Sequence, residues 1–84
     1  MVDVREATTN AFSYFRDIYG NQFSNVLVEE VELDDGWWFI TLGYDLPSVV
    51  GQFGGRPPRA YKIFKIHAAD GQVLSMKIRE VEHA

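Results

Sequence analysis

Residues 34–46 read DDGWWFITLGYDL: Asp34, Asp35 and Gly36, then two adjacent tryptophans, Trp37 and Trp38, at the head of an apolar run. Asp-Gly between two apolar segments is a strong hairpin signal, because both residues tolerate the positive φ of a tight turn. Successive side chains of a strand point to opposite faces, so the hairpin register decides which tryptophan is inside. A two-residue loop, Asp35-Gly36, pairs Leu33 with Trp38 and Val31 with Ile40. A three-residue loop pairs Leu33 with Trp37 and turns the second strand over, since a one-residue slip flips every side chain. The two-residue loop is preferred. Trp38, Ile40, Leu42, Tyr44 and Leu46 form an unbroken apolar series, whereas the series from Trp37 fades into Thr41, Gly43 and Asp45.

Upstream, Val4, Ala7, Ala11, Phe12, Phe15, Ile18 and Tyr19 recur at spacings of three and four and predict a helix over about 4–19. Asp3 is placed to cap it, with Glu6 completing a capping-box pattern, and Gly20-Asn21 suits its end. "NVLVEEVEL" precedes the hairpin as the first strand, over about 25–34, and the second runs over about 37–46. "PSVVGQFGGRPP", residues 47–58, holds three glycines and three prolines and is read as a long loop. "RAYKIFKIHA" and "QVLSMKIREV" are strands over about 59–68 and 72–81. A three-residue loop of Ala69, Asp70 and Gly71, with Gly71 left-handed, pairs Ile66 with Leu74 and Phe64 with Met76. It puts Phe64, Ile66, Leu74, Met76 and Ile78 on one face. The expected fold is a single α+β domain over 1–84, one N-terminal helix packed on a four-stranded antiparallel β-meander.

The face away from the helix is then expected to carry Val28, Trp37, Phe39, Tyr61, Ile63 and Val73, edged by Lys65, His67, Lys77 and Arg79. A sheet with one wet face ordinarily alternates more cleanly. Strands accept aromatic and β-branched residues anywhere, and the long loop could fold back so that Val49, Val50 and Phe53 cover the patch. Alternatively the patch is an interface, since contiguous apolar surface of more than a few hundred Å² is uncommon on a monomer. Trp37, Phe39, Tyr61, Ile63 and Val73 are the candidate interface residues, and Phe53 and Arg56 the candidate contacts of the loop.

Charge is polarised along the chain. Residues 1–50 hold nine acids and two bases, and residues 51–84 hold six bases and three acids, for a net −4. That balance argues against nucleic acid, which rewards a basic surface. Cysteine is absent, which removes disulfides, thiolate metal sites and thiol catalysis. No apolar run approaches the roughly 20 residues that span a bilayer, and the N-terminus lacks a signal-peptide pattern. No membrane role and a cytoplasmic location are therefore expected. At 46% hydrophobic and 24% charged, the composition is that of an ordinary globular chain.

Chemistry finds little foothold. His83 is next to the C-terminus, and His67 ends a strand beside Asp70. Ser13, Ser24, Ser48 and Ser75 lack a Gly-x-Ser-x-Gly setting. Glu29 and Glu30, adjacent on a strand, are expected on opposite faces, with Glu29 on the helix side near a cation such as Arg16. Asp34-Asp35-Gly36 lacks the other ligands of a calcium loop, and "GQFGG" lacks the lysine and helix of a phosphate loop. No enzyme activity, cofactor or metal site is expected.

The segments "VREATTNAFSYFRDIYG", "GWWFITL" and "YKIFKIHAADGQVLSMKIRE" together resemble the PepSY-like domains and their small stand-alone bacterial relatives. The resemblance spans nearly the whole chain. It implies a helix on a small antiparallel sheet closed by a strand-DG-V-strand hairpin, no catalytic residues, and in the extracytoplasmic members a restraint on peptidases. The Gly/Pro loop and the missing signal peptide depart from that pattern. A cystatin-like arrangement is also similar, without the inhibitory Gln-x-Val-x-Gly.

The expected role is a non-catalytic protein-binding or regulatory module whose outer sheet face is a homodimer or partner interface. The alternative is a small inhibitor or immunity-type protein that blocks an enzyme through its acidic hairpin or its Gly/Pro loop. A third reading is an enzyme using His67 with a nearby carboxylate.

Overall fold

The structure, a computed structural model, describes residues 1–47 and 58–80. The loop candidates Phe53 and Arg56, with Val49, Val50 and His83, lie outside the described residues. Helix α1 spans Val4–Tyr19. Asp3 caps it, its Oδ1 accepting the Glu6 N–H at 2.8 Å, and Gly20, at φ 60°, closes it with an N–H donated to Arg16 O. Its buried seam is narrow: Ala7, Ala11 and Phe15, each four residues from the next. The alanines let the backbone sit close to the sheet. Val4 and Ile18 lie on the same stripe but are largely exposed, because they sit at the two ends of the helix.

The strands are β1 (Ser24–Asp34), β2 (Trp37–Asp45), β3 (Arg59–His67) and β4 (Val73–Ile78), paired antiparallel in the order β1-β2-β3-β4. The α+β meander is thus the observed architecture. In the first hairpin Asp34 pairs with Trp37, Leu33 with Trp38 and Val31 with Ile40. Asp35 and Gly36 take φ values of 49° and 82°, the positive pair that a two-residue turn needs. Trp38 therefore faces the helix side, where its Nε1–H donates to Val2 O at 3.1 Å. Trp37 faces away.

On the helix side, Ile40, Leu42, Phe64 and Ile66 are fully buried beneath Ala7, Ala11 and Phe15. Phe15, Tyr19, Phe23 and Tyr44 close one end of this core, with ring centroids 4.7–6.0 Å apart. The other end is tied by the backbone. Val2 N–H donates to Ala68 O, Ala68 N–H to Gly36 O, and Asn10 Nδ2 to Gly71 O. These bonds hold the start of the helix against both hairpin turns.

Several expectations are corrected here. The β3–β4 loop has four residues, Ala68–Gly71, between His67 and Gln72, whose N–H and C=O pair at 2.9 Å. Gly71 is left-handed as expected, at φ 80°. The longer loop pairs Ile66 with Val73 rather than Leu74, and the ladder recovers only at Lys65 and Ser75. Val73 therefore packs on the core, not on the outer face, and Leu74 is exposed. Ile78 shares the helix-side register but is 76% exposed, beyond the helix's cover. Val28 likewise pairs with Leu42 on the helix side. Together with Val31 and Leu33 it stays partly exposed there, because one helix about 10–12 Å wide cannot roof four strands at about 4.8 Å spacing.

Candidate protein-interaction face

The register sends the odd-numbered residues of β2 and β3 outward. Trp37 pairs with His67, Phe39 with Lys65, Thr41 with Ile63, Gly43 with Tyr61 and Asp45 with Arg59. Trp37, Phe39, Tyr61 and Ile63 thus share this face, and each is half-buried. Of the five candidate interface residues, only Val73 is missing from it.

The side chains around them are held by charge. Lys65 Nζ lies 4.4 Å from the centre of the Trp37 ring, and the His67 ring is 4.8 Å away on a tilt. His67 Nδ1 is 3.3 Å from Asp70 Oδ1, which also accepts the Gln72 N–H at 2.9 Å. The backbone hydrogen bond from Gln72, assisted by His67, holds the Asp70 carboxyl below its ordinary value. The His67–Asp70 pair is exposed and completes the turn.

Two arginines reach across the sheet to β1. Arg59 Nη1 bonds Asp45 Oδ1 at 2.7 Å, and its Nη2 bonds Glu29 Oε1 at 2.9 Å. Burial alone would lower the Arg59 pKa, but hydrogen bonds to the two carboxylates outweigh it and raise it. Arg79 Nη1 donates to Thr41 Oγ1 at 2.6 Å, and its Nη2 is 3.2 Å from Glu30 Oε2. Thr41, at 2% exposure, is thereby satisfied.

Glu29 and Glu30 therefore both lie on the outer face, contrary to the alternation expected of neighbours. A β-bulge is the reason: the ladder shifts between Val28 and Glu30, so the two consecutive residues share one side. Glu29 finds Arg59 and not Arg16. Gly43 makes room for this: a Cβ there would lie 2.7 Å from Glu29 Oε1 and 2.8 Å from Arg59 Nη2. The glycine within an otherwise apolar strand is the one sequence signal that marks the crossing.

Asp45 accepts hydrogen bonds from Asn25 and Arg59, and these hold its carboxyl below its ordinary value of 3.8. Its folded value being the lower one, Asp45 favours the folded chain above the unfolded value, and the contribution is lost as pH falls through the folded value. The same sign holds for Asp70. Stability should therefore decline on acidification below about pH 4. Melting curves collected down to about pH 2 should show a shallower decline for Asp45→Asn than for the wild type.

Two shallow hollows lie on the outer face among the described residues. One, of about 310 Å³, is lined by Glu30, Glu32, Asp34, Phe39, Thr41, Ile63 and Arg79. The other, of about 200 Å³, is lined by Phe39, Ile63, Lys65, Ser75 and Lys77. Phe39 and Ile63 form the wall between them. The β1 side is rich in carboxylates and the β4 side is basic. Such a face can seat apolar groups at its centre and opposite charges at its margins. Among the described residues, no group of three or more His, Cys, Asp and Glu is placed to hold a metal ion, and no helix is long and apolar enough to cross a membrane.

Compared with known proteins, the chain matches no protein-family model, no curated protein and no solved structure.

Proposed function

We propose that this chain is a non-catalytic protein-binding module that works through the outer face of its sheet. The observation that carries this reading is the row of half-buried Trp37, Phe39, Tyr61 and Ile63 at the centre of the face, between carboxylates on β1 and lysines on β3 and β4. Aromatic centres with charged margins are the usual make-up of protein contacts. From the PepSY-like resemblance the proposal takes the absence of catalysis and not the restraint of a peptidase.

The reading requires that the outer face contribute little to the chain's own fold. Phe39→Ala combined with Ile63→Ala should lower the stability of dilute protein by no more than about 2 kcal/mol, since exposed cross-strand pairs contribute about 0.2–1 kcal/mol each. Urea unfolding at low protein concentration checks this. A loss of about 4 kcal/mol or more would make the face part of the chain's own core and end the proposal.

A second reading, capture of a basic enzyme surface by the acidic hairpin, draws on one feature. Glu32 and Asp34 line the larger hollow beside Phe39, and among the described residues neither has an ion partner. The Gly/Pro loop that shared this reading lies outside the described residues.

A further inference from the structure

We infer that the occupant of the outer face is a second copy of this chain, related to the first by a two-fold axis running parallel to the strands. The inference rests on the reading of that face as an interface, and adds to it a partner and a geometry.

Charge is graded across the strand order. β1 presents Glu30, Glu32 and Asp34 to the larger hollow, the centre is Phe39 and Ile63, and the far hollow has Lys65 and Lys77. Self-association of a folded chain most often follows a two-fold axis, so each contact is made twice. For two sheets packed face to face, that axis lies between them, either along the strands or across them.

An axis along the strands lays β1 of each copy over β4 of the other. Each acidic hollow then faces the lysines of the opposite copy, and Phe39 and Ile63 of both copies meet near the axis. An axis across the strands lays β1 over β1, which brings the Glu30, Glu32 and Asp34 carboxylates of both copies together. Pairing the β1 edges into one continuous sheet makes the same error, because it sets the acidic β1 of one copy, with Glu29, Glu30, Glu32 and Asp34, beside that of the other. Only the first arrangement matches opposite signs.

The ionic inventory agrees. Arg79 satisfies Glu30 within the chain. Among the described residues, Glu32, Asp34, Lys65 and Lys77 have no ion pair of their own and so are available to pair between copies. The registers put Glu32, Phe39, Lys65 and Ser75 in one row across the sheet, and Glu30, Thr41, Ile63 and Lys77 in the next. An axis along the strands preserves the rows. Glu32 of one copy therefore lies over Ser75 of the other, two residues from Lys77 on the same face.

Size sets the strength. Four strands at about 4.8 Å spacing and nine residues at about 3.4 Å rise make a face of roughly 20 by 30 Å. Two such faces bury about 1,200 Å² in total, the lower edge of specific interfaces. The dimer should dissociate within an accessible dilution range and weaken with salt.

Light scattering of the wild type across a dilution series should give twice 9.6 kDa when concentrated and 9.6 kDa when dilute. Lys77→Glu should weaken the dimer at least about tenfold. The chain has no cysteine of its own, which allows the axis to be read directly. With a short thiol-reactive cross-linker, a mixture of Glu32→Cys and Ser75→Cys chains should yield a covalent dimer, and Glu32→Cys chains alone should not. A wild type that stays at 9.6 kDa at every concentration, or a dimer in which Glu32→Cys chains cross-link to one another, would overturn the inference. Either result leaves the stability of the Phe39 and Ile63 double variant unaffected, so the second copy can fail while the binding-face reading stands.

Discussion

Replacing Phe64 by alanine should remove about 3–5 kcal/mol, the usual loss for truncating a fully enclosed aromatic ring. Phe64 has no exposed surface and lies between Ile40 on β2 and Met76 on β4. The Tyr14 ring meets it edge-on at 6.2 Å from the helix above. No neighbour can collapse into the space without moving the helix, so most of the cavity should persist. A domain of this size has about 5–10 kcal/mol in all, and the variant should therefore sit close to its unfolding threshold even in water. A large drop in the urea midpoint at unchanged slope would record it. A loss near 1 kcal/mol would mean that the helix is not held on the sheet as described.

Gly71→Ala should be the costliest of the turn substitutions, at about 2–5 kcal/mol. Two effects add. Gly71 is left-handed, at φ 80°, where a side chain costs about 1–2 kcal/mol. The new Cβ would also lie 2.7 Å from Asn10 Nδ2 and 3.2 Å from Val2 Cγ1, an overpacking of about 1–3 kcal/mol. Asn10 cannot simply yield, because its Nδ2 donates to Gly71 O at 2.9 Å and pins the helix to the loop. Gly36 supplies the control. It has φ 82° but nothing within 4 Å of its Cβ position, so Gly36→Ala should show the conformational cost alone. Paired thermal melts of the two variants separate the terms, and equal losses would contradict the contact at Gly71.

Where local chemistry decides the structure, the sequence could be read. Asp3, the four-residue spacing of Ala7, Ala11 and Phe15, and Gly20 define the helix over Val4–Tyr19. Asp35-Gly36 sets the register that turns Trp38 in and Trp37 out. Where several residues compete for one ladder position, it could not. The bulge beside Glu29 turns on the ion pair with Arg59, a residue 30 positions away that no local pattern announces. The four-residue loop at Ala68–Gly71 wins because it lets Ala68 bond both Val2 and Gly36, and it exchanges Val73 for Leu74 on the core face. The candidate face was legible at its centre for the same reason as the first hairpin. Its margins depended on the bulge, and the two arginines that span it became apparent only in three dimensions.

These features share a physical logic. A sheet of four strands under a single helix has one face that no other helix or strand among the described residues covers. This one places Phe39 and Ile63 at the centre of that face and grades the charge from one edge to the other. Arg59 and Arg79 tie the bulged stretch of β1 to it through Glu29 and Glu30. Among the described residues, Glu32, Asp34, Lys65 and Lys77 are left without ion partners.

The most direct test is the solvent access of Trp37 as a function of concentration. Trp38→Phe leaves Trp37 as the sole tryptophan, and acrylamide quenching of its fluorescence then reports on the outer face alone. Quenching should be weak in concentrated protein and rise as the sample is diluted, as a second copy leaves the face. Quenching that stays weak at every dilution would show that the chain covers this face itself, and would contradict the account.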